Sequence, residues 1–496
     1  MKRVWVGLMA LAALAACGED TSPALAPGAD VGGQGDDAGL VDVGPDDADE
    51  GADALAPDGA LADTGGEEIE EPDAPQEEVS RAREQLDWVL SVINGPARVL
   101  SVGEVEEHFA PQFLNQVPAD DLIEIMGQLR SEVAPLRVDG VLAEPDPFNL
   151  SVRAEGPRDL WFRITVATER ATPFRMVGLL FEAAPQFNPN RPADFEELAE
   201  RIGAAALRSN FLAAEIVDGR CEPVGARAAD RALALGSTFK LYILGALADR
   251  IEAGEMGWED ELAIQEARKS LPSGRLHQEP EGTLLTLEEM AGLMISISDN
   301  TATDHLLFHL GRGAVEDFQA EMGHGAPALN TPFLSTRELF LLKGALTRPQ
   351  ALDYIALDAE GRRAFLDGEL AGRSLREVRP WSFPTFVDEL EWFASPEDLC
   401  GAMSSLKLLS EAPGGEPVAQ ILSINPGIPF DAQAWPFIGF KGGSEPGVLN
   451  LTWLLRREDE RWFFLTLGLV DPSAPIDEAA AINLAGFAAL LLAEVP

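Results

Sequence analysis

Leu86, Trp88, Val89, Leu90 and Ile93 recur at a helical period and stop before Asn94-Gly95-Pro96, which predicts one helix. Ser101-Val102-Gly103-Glu104 has the form of a capping box opening a second helix through Phe109, and a third fits Ala119 to Arg130. Between 133 and 183 the rhythm becomes alternating, with Leu150-Ser151-Val152-Arg153 and Leu160 to Val166 reading as strands. Helices followed by an antiparallel sheet predict a small α+β domain over residues 77–186. Pro185 to Pro192 reads as a Pro/Asn linker.

A second domain is expected over 193–496. It starts with a helix at 193–208, followed by a hairpin of 211–217, a turn at Asp218-Gly219 and a return strand near 221–229. Ser237 opens an apolar helix, and further helices fit 286–297 and 301–310. Leu449 to Leu455 and Trp462 to Val470 form a second hairpin, and Asp477 caps a helix reaching Ala493. Strands at both ends with helices between them predict one antiparallel sheet. The terminal helices would cover one face and the inserted helical block the other. The fold class is therefore α+β in both domains.

Charge changes the picture at the N-terminus. Residues 18–76 are rich in Gly, Ala, Pro, Asp and Glu with few large apolar side chains, the composition of a disordered linker. The 20 acidic residues of 18–80, set against Lys2 and Arg3, leave residues 81–496 with −28 of the formal −46. So acidic a chain excludes nucleic acid and anionic membrane surfaces as partners. Residues 1–17 are a targeting signal: Lys2 and Arg3, an apolar run too short to span a bilayer, then Leu14-Ala15-Ala16-Cys17. That ending resembles a bacterial lipobox, which implies lipidation of Cys17 and anchorage to a membrane outside the cytoplasm. In that oxidising space Cys221 and Cys400 either pair or remain two buried thiols.

The candidate chemistry centres on Ser237-Thr238-Phe239-Lys240, which sets a hydroxyl and an amine on adjacent turns. A desolvated lysine can take the serine proton. A second copy, Ser404-Ser405-Leu406-Lys407, has no supporting context. Ser298-Asp299-Asn300 lies between two apolar helices, and Lys441-Gly442-Gly443-Ser444 continues the strand Phe437 to Phe440 at the sheet edge. Ser423-Ile424-Asn425 is a decoy for the second motif. His305 and His309 share an i, i+4 spacing without a His-Glu-x-x-His pattern, so helix packing rather than a metal is their expected role. No cofactor is implied, and the N-terminal residues Glu106, Glu107, His108 and Trp161 form no catalytic constellation.

Ser-x-x-Lys, Ser-Asp-Asn and Lys-Gly-Gly in this order resemble the class A β-lactamase and penicillin-recognising serine hydrolase family. The whole ordered chain is similar to a two-domain subgroup with an N-terminal steroid-isomerase-like (nuclear transport factor 2-like) domain. That subgroup includes a clavulanic-acid biosynthesis protein and some bacterial lipoproteins. The resemblance implies Ser237 as nucleophile and Lys240 as its proton acceptor. It makes the amides of Ser237 and Ser444, beside Gly443, an oxyanion hole. Ser298 would relay a proton to the leaving group, Asn300 would hold the substrate amide, and Lys441 would face a substrate carboxylate. Two family features are absent. The deacylating glutamate of Glu-x-x-Leu-Asn falls on Ala326 in Ala326-Pro327-Ala328-Leu329-Asn330, and Gly442 replaces the usual threonine or serine. The following loop is expanded from Thr331 to about Ser395, where Glu338, Asp388, Glu389 and Glu391 are candidate substitutes. The implied protein is a monomeric, membrane-anchored serine hydrolase acting on a β-lactam-like or peptidoglycan-derived substrate. The alternative is a penicillin-binding, D,D-peptidase-like or esterase-like protein that acylates but deacylates β-lactams slowly.

Overall fold

The computed structural model describes residues 80–96, 98–428 and 430–496; the expected signal, the acidic segment and Cys17 lie outside the described residues. Residues 80–183 begin with helices Arg81–Asn94, Val102–His108, Pro111–Leu114 and Ala119–Val133. The Ser101–Glu104 capping box is formed in both directions. Strands β1 (Arg137–Asp146), β2 (Asn149–Glu155), β3 (Trp161–Thr168) and β4 (Met176–Ala183) follow in an antiparallel sheet of that order. Leu150, Val152 and Ala154 of β2 and Phe162, Ile164 and Val166 of β3 alternate inward onto Leu86, Val89, Ile93 and Met126 of the helices. The pattern expected from the alternation is thus the one that buries a core.

The next helix, Phe195–Ala205, is shorter than the sequence suggested, because Arg208 already pairs with Val470 at the start of β5 (Arg208–Val217). The remaining strands are β6 (Arg220–Arg227), β7 (Leu233–Ala234), β8 (Glu261–Ala263), β9 (Leu284–Thr286), β10 (Phe393–Ala394), β11 (Phe437–Glu445), β12 (Val448–Arg456) and β13 (Trp462–Val470). Five of them form the central antiparallel sheet in the order β11-β12-β13-β5-β6. The alternation along β13 divides the two cores. Phe463, Leu465 and Leu467 pack with Leu198 and Ile202 of the first helix and Phe487 of helix Glu478–Ala493. Phe464 points the other way, into the helical block with Leu241, Leu244, Met290 and Leu406.

Two features depart from the expectation or settle it. The segment after Thr331 is not an expanded loop but helical, with helices Thr336–Gly344, Arg348–Ile355 and Ala359–Phe365 and a π turn at Leu366–Leu370. Its buried Leu339, Leu341, Leu342, Tyr354 and Leu370 join the main helical core, so the insertion is folded into the block. Cys221 of β6 is bonded to Cys400 of helix Pro396–Glu411, with 6.4 Å between the Cα atoms.

Candidate active site

Ser237 sits on a tight 3-10 turn, Gly236–Phe239, that feeds directly into helix Lys240–Glu252. This turn is pressed against β11 at a contact only glycine permits. Gly236 has φ +51°, and a Cβ there would lie 2.8 Å from the Ser444 amide nitrogen. A Cβ on Gly443 would overlap the Ser237 amide nitrogen. The glycines therefore let the two amides, on different segments, converge on one small space.

Lys240 is fully buried. Its Nζ donates to Ser298 O at 2.7 Å, Ser298 Oγ at 2.9 Å and Asn300 Oδ1 at 2.7 Å. Lys441, also buried on the edge strand β11, donates from Nζ to Ser298 Oγ at 3.2 Å and to Gly442 O at 2.5 Å. The Ser298 hydroxyl thus lies between two amines. Burial pushes the Lys240 ammonium well below the usual lysine range, and the positive charge of Lys441 pushes it further. Burial alone brings Lys441 down to about 7. Every acceptor around Lys240 is neutral. A deprotonated Lys240 keeps two N–H donors for the two carbonyl-type oxygens and a lone pair for the Ser298 O–H. The cluster can therefore hold and pass a proton among Lys240, Ser298 and Lys441.

The Ser298 turn is held by its neighbour. Ser298 has φ +57°, an unusual conformation for a residue with a side chain. The buried carboxylate of Asp299 caps helix Asn300–Leu310 through Ala302 N (2.9 Å) and accepts from Arg275 N (2.6 Å) and Leu276 N (2.8 Å). Ser273 Oγ adds a 2.6 Å bond to Ser298 O. Asp299 is thus a structural member of the motif. Asn300 uses Oδ1 on Lys240 and one N–H on Leu271 O (3.1 Å), which leaves one N–H for a substrate. Gly442 has its own reason: a side chain there would meet the Phe440 ring at 2.7 Å, and that ring packs on Trp453.

Three of the four carboxylates considered as substitutes for the absent glutamate are committed elsewhere. Glu338 pairs with Arg312 and caps Ser335, Asp388 pairs with Arg208, and Glu391 pairs with Lys343. Glu389 is exposed. Asn330 of the Ala-Leu-Asn match is buried and clamps Phe393 N at 2.8 Å and Phe393 O at 3.0 Å. The insertion instead reaches the Ser-Asp-Asn helix through Asp304. This fully buried carboxyl accepts from Thr336 N (2.7 Å), Thr336 Oγ1 (2.8 Å) and Arg337 N (2.9 Å), and burial raises it to about 7. Sequence reading passed over Asp304, although its place one turn after Asn300 was a usable signal. The other candidates have ordinary roles. His305 engages Thr301 O and Gln265 N, while His309 is exposed. Ser404 donates to Gly219 O and Lys407 pairs with Glu411. Asn425 donates to Ser296 O, and His108 stacks on Trp88.

Residues 198–358 match the model of the β-lactamase enzyme family, and residues 78–171 match that of the ORF 12 gene product N-terminal region. The C-terminal part thus has a β-lactamase-like serine hydrolase fold. Among solved structures, the chain is similar to a β-lactamase from Sphaerobacter thermophilus (22% identity, TM-score 0.42, covering 61% of this chain and 99% of that one). A β-lactamase from Chitinophaga pinensis aligns at 14% identity and TM-score 0.41, covering 60% and 97%. A variant of PBP-A, solved as an acyl-enzyme complex with penicillin G, aligns at 15% identity and TM-score 0.39, covering 61% and 97%. No curated protein matches the chain.

Proposed function

We propose that this protein is a lipid-anchored, extracytoplasmic serine hydrolase of the β-lactamase type that forms an acyl-enzyme on Ser237. The observation that carries this reading is the Ser298 hydroxyl, set 2.9 Å from Lys240 Nζ and 3.2 Å from Lys441 Nζ with both amines buried. Lys240 takes the Ser237 proton as Oγ attacks a strained or activated carbonyl. The Ser237 and Ser444 amides receive the oxyanion; a donor of this kind contributes on the order of 3–4 kcal/mol. Ser298 delivers a proton to the departing nitrogen or oxygen and is resupplied through the two lysines. Asn300 orients Lys240 and turns its remaining N–H to the substrate amide.

The second half of the cycle is weaker. With Ala326 at the glutamate position, Glu338, Asp388 and Glu391 paired elsewhere and Glu389 exposed, deacylation lacks its usual general base, a deficit of roughly 10²- to 10⁴-fold. The acyl-enzyme of a β-lactam is therefore long-lived, and the substrate class is a β-lactam-like or peptidoglycan-derived amide or ester. The N-terminal residues serve as a steroid-isomerase-like binding module, Cys17 carries the lipid, and the protein acts as a monomer.

Intact-protein mass spectrometry after exposure to a penicillin and to an activated ester tests the reading. A stable adduct of +penicillin mass, lost in Ser237→Ala, is the expected result. Rapid product release without an adduct means an efficient hydrolase, and no adduct or product with either compound overturns the acyl-enzyme assignment. Cys17→Ser should move the protein from the membrane fraction to the soluble one; an unchanged distribution refutes the anchor.

A further inference from the structure

A third buried lysine lies outside the proposed relay. Lys343, on the first helix of the insertion, is fully buried, and its Nζ donates to Glu391 Oε1 at 2.9 Å and to Glu445 Oε1. What makes this cluster informative is where its acids sit. Glu445 follows Ser444 on β11, the strand whose amide faces Gly236. Glu391 precedes Trp392, whose carbonyl accepts Leu235 N at 2.9 Å and whose ring stacks on Phe239 at 3.6 Å. Residues 391–394 therefore back the nucleophile turn from one side, through the β7–β10 pairing, while 444–445 close it from the other.

We propose that Lys343 is a positioning residue for acylation: by bridging Glu391 and Glu445 it ties the backing of the nucleophile turn to the strand of the second amide, and so fixes the separation of the Ser237 and Ser444 N–H groups. The insertion is then a structural part of the oxyanion hole. Burial pushes the Glu445 carboxyl up to about 8, the Lys343 ammonium opposes that rise, and the negative charge of Glu391 adds to it. A neutral side chain at 343 leaves that negative charge unpartnered and frees the two segments to move apart. A displacement of the order of 1 Å at such a site costs about 10²-fold in rate.

The test rests on the acyl-enzyme reading for one readout and is independent of it for the other. In the full chain, Lys343→Met should lower the acylation rate constant by roughly 10- to 100-fold while apparent substrate affinity stays within about twofold. Hydrogen exchange read by mass spectrometry should show faster exchange in Lys343→Met at 235–239 and 443–446, with peptides of β12 and β13 unchanged. Unchanged acylation together with unchanged exchange in the folded variant overturns the proposal. Should the parent protein not acylate at all, the acyl-enzyme reading fails, and the exchange readout still decides the role of Lys343. If Lys343→Met does not fold, Lys343→Arg replaces it: the bulkier guanidinium should slow acylation at least about threefold with affinity unchanged, and parent-like acylation with parent-like exchange again overturns it.

Discussion

Two sites in the C-terminal part bury lysine completely, and they go opposite ways. Lys240 and Lys441 are surrounded by a hydroxyl, carbonyls and an amide, with no carboxylate in hydrogen-bonding contact, so burial pushes both ammonium groups down. Lys343 is buried just as deeply, yet Glu391 and Glu445 hold its ammonium above the usual lysine range. Burial alone therefore does not make a lysine reactive. The identity of its acceptors decides: neutral oxygens, with carboxylates acting only from further off, compensate the charge too little to offset burial and leave the amine ready to take a proton, whereas carboxylates in direct contact fix the charge and turn the lysine into a strut.

The sharpest way to break this comparison is Lys240→Met. It removes the amine that accepts the nucleophile's proton, and adduct formation should fall by roughly 10²- to 10⁴-fold, read by time-resolved mass spectrometry. A parent-like rate would mean that another group activates Ser237. The pH dependence of stability probes the same cost of burial. Below about pH 7 folded Lys441 carries a buried charge that the unfolded chain keeps in water; from about 7 up to 10.5 only the unfolded chain remains protonated, so stability rises with pH across that window. Lys441→Met should accordingly be more stable than the parent at pH 6, by on the order of a few kcal/mol, with the advantage shrinking toward pH 10.5. A difference that denaturant titrations find independent of pH contradicts the depressed ammonium.

Stability can also be changed without touching either lysine site. Cys221 and Cys400 close a loop of 179 residues between β6 and helix Pro396–Glu411. Replacing both by serine should cost about 2–4 kcal/mol in urea titrations and leave acylation of the folded protein unchanged. Loss of acylation without loss of stability would place the bridge in the chemistry instead. The smallest effect is expected at the motif's twin. Ser404→Ala removes one hydrogen bond to Gly219 O, about 1 kcal/mol, and should leave the adduct intact. An adduct lost in this variant would place the nucleophile at Ser404 instead of Ser237.

Much of the architecture was legible because periodicity reports burial. The Ser101–Glu104 capping box, the Asp218-Gly219 turn and the Asp477 cap all stand where the sequence put them. The helices of the insertion were missed although Ser335 and Glu338 form the same kind of capping box that identified an earlier helix. The expectation of a loop from Thr331 to about Ser395 rested on the Ala326–Asn330 match alone. That match proved to be a buried clamp on Phe393, a contact spanning 63 residues that no local pattern signals.

The linear sequence by itself determined the candidate chemistry: Ser237, Lys240, Ser298, Asn300 and Lys441 are recognisable because short motifs combine with helix and strand rhythm, both local properties. It also determined that no glutamate stands at Ala326. Tertiary structure decided the protonation setting of each lysine and the pairing of Cys221 with Cys400. It alone brought Lys343 to acids 48 and 102 positions away. The physical reason is common to these cases. A pKa or a cross-link depends on which groups share a buried volume, and that is fixed by the packing of distant segments, not by spacing along the chain.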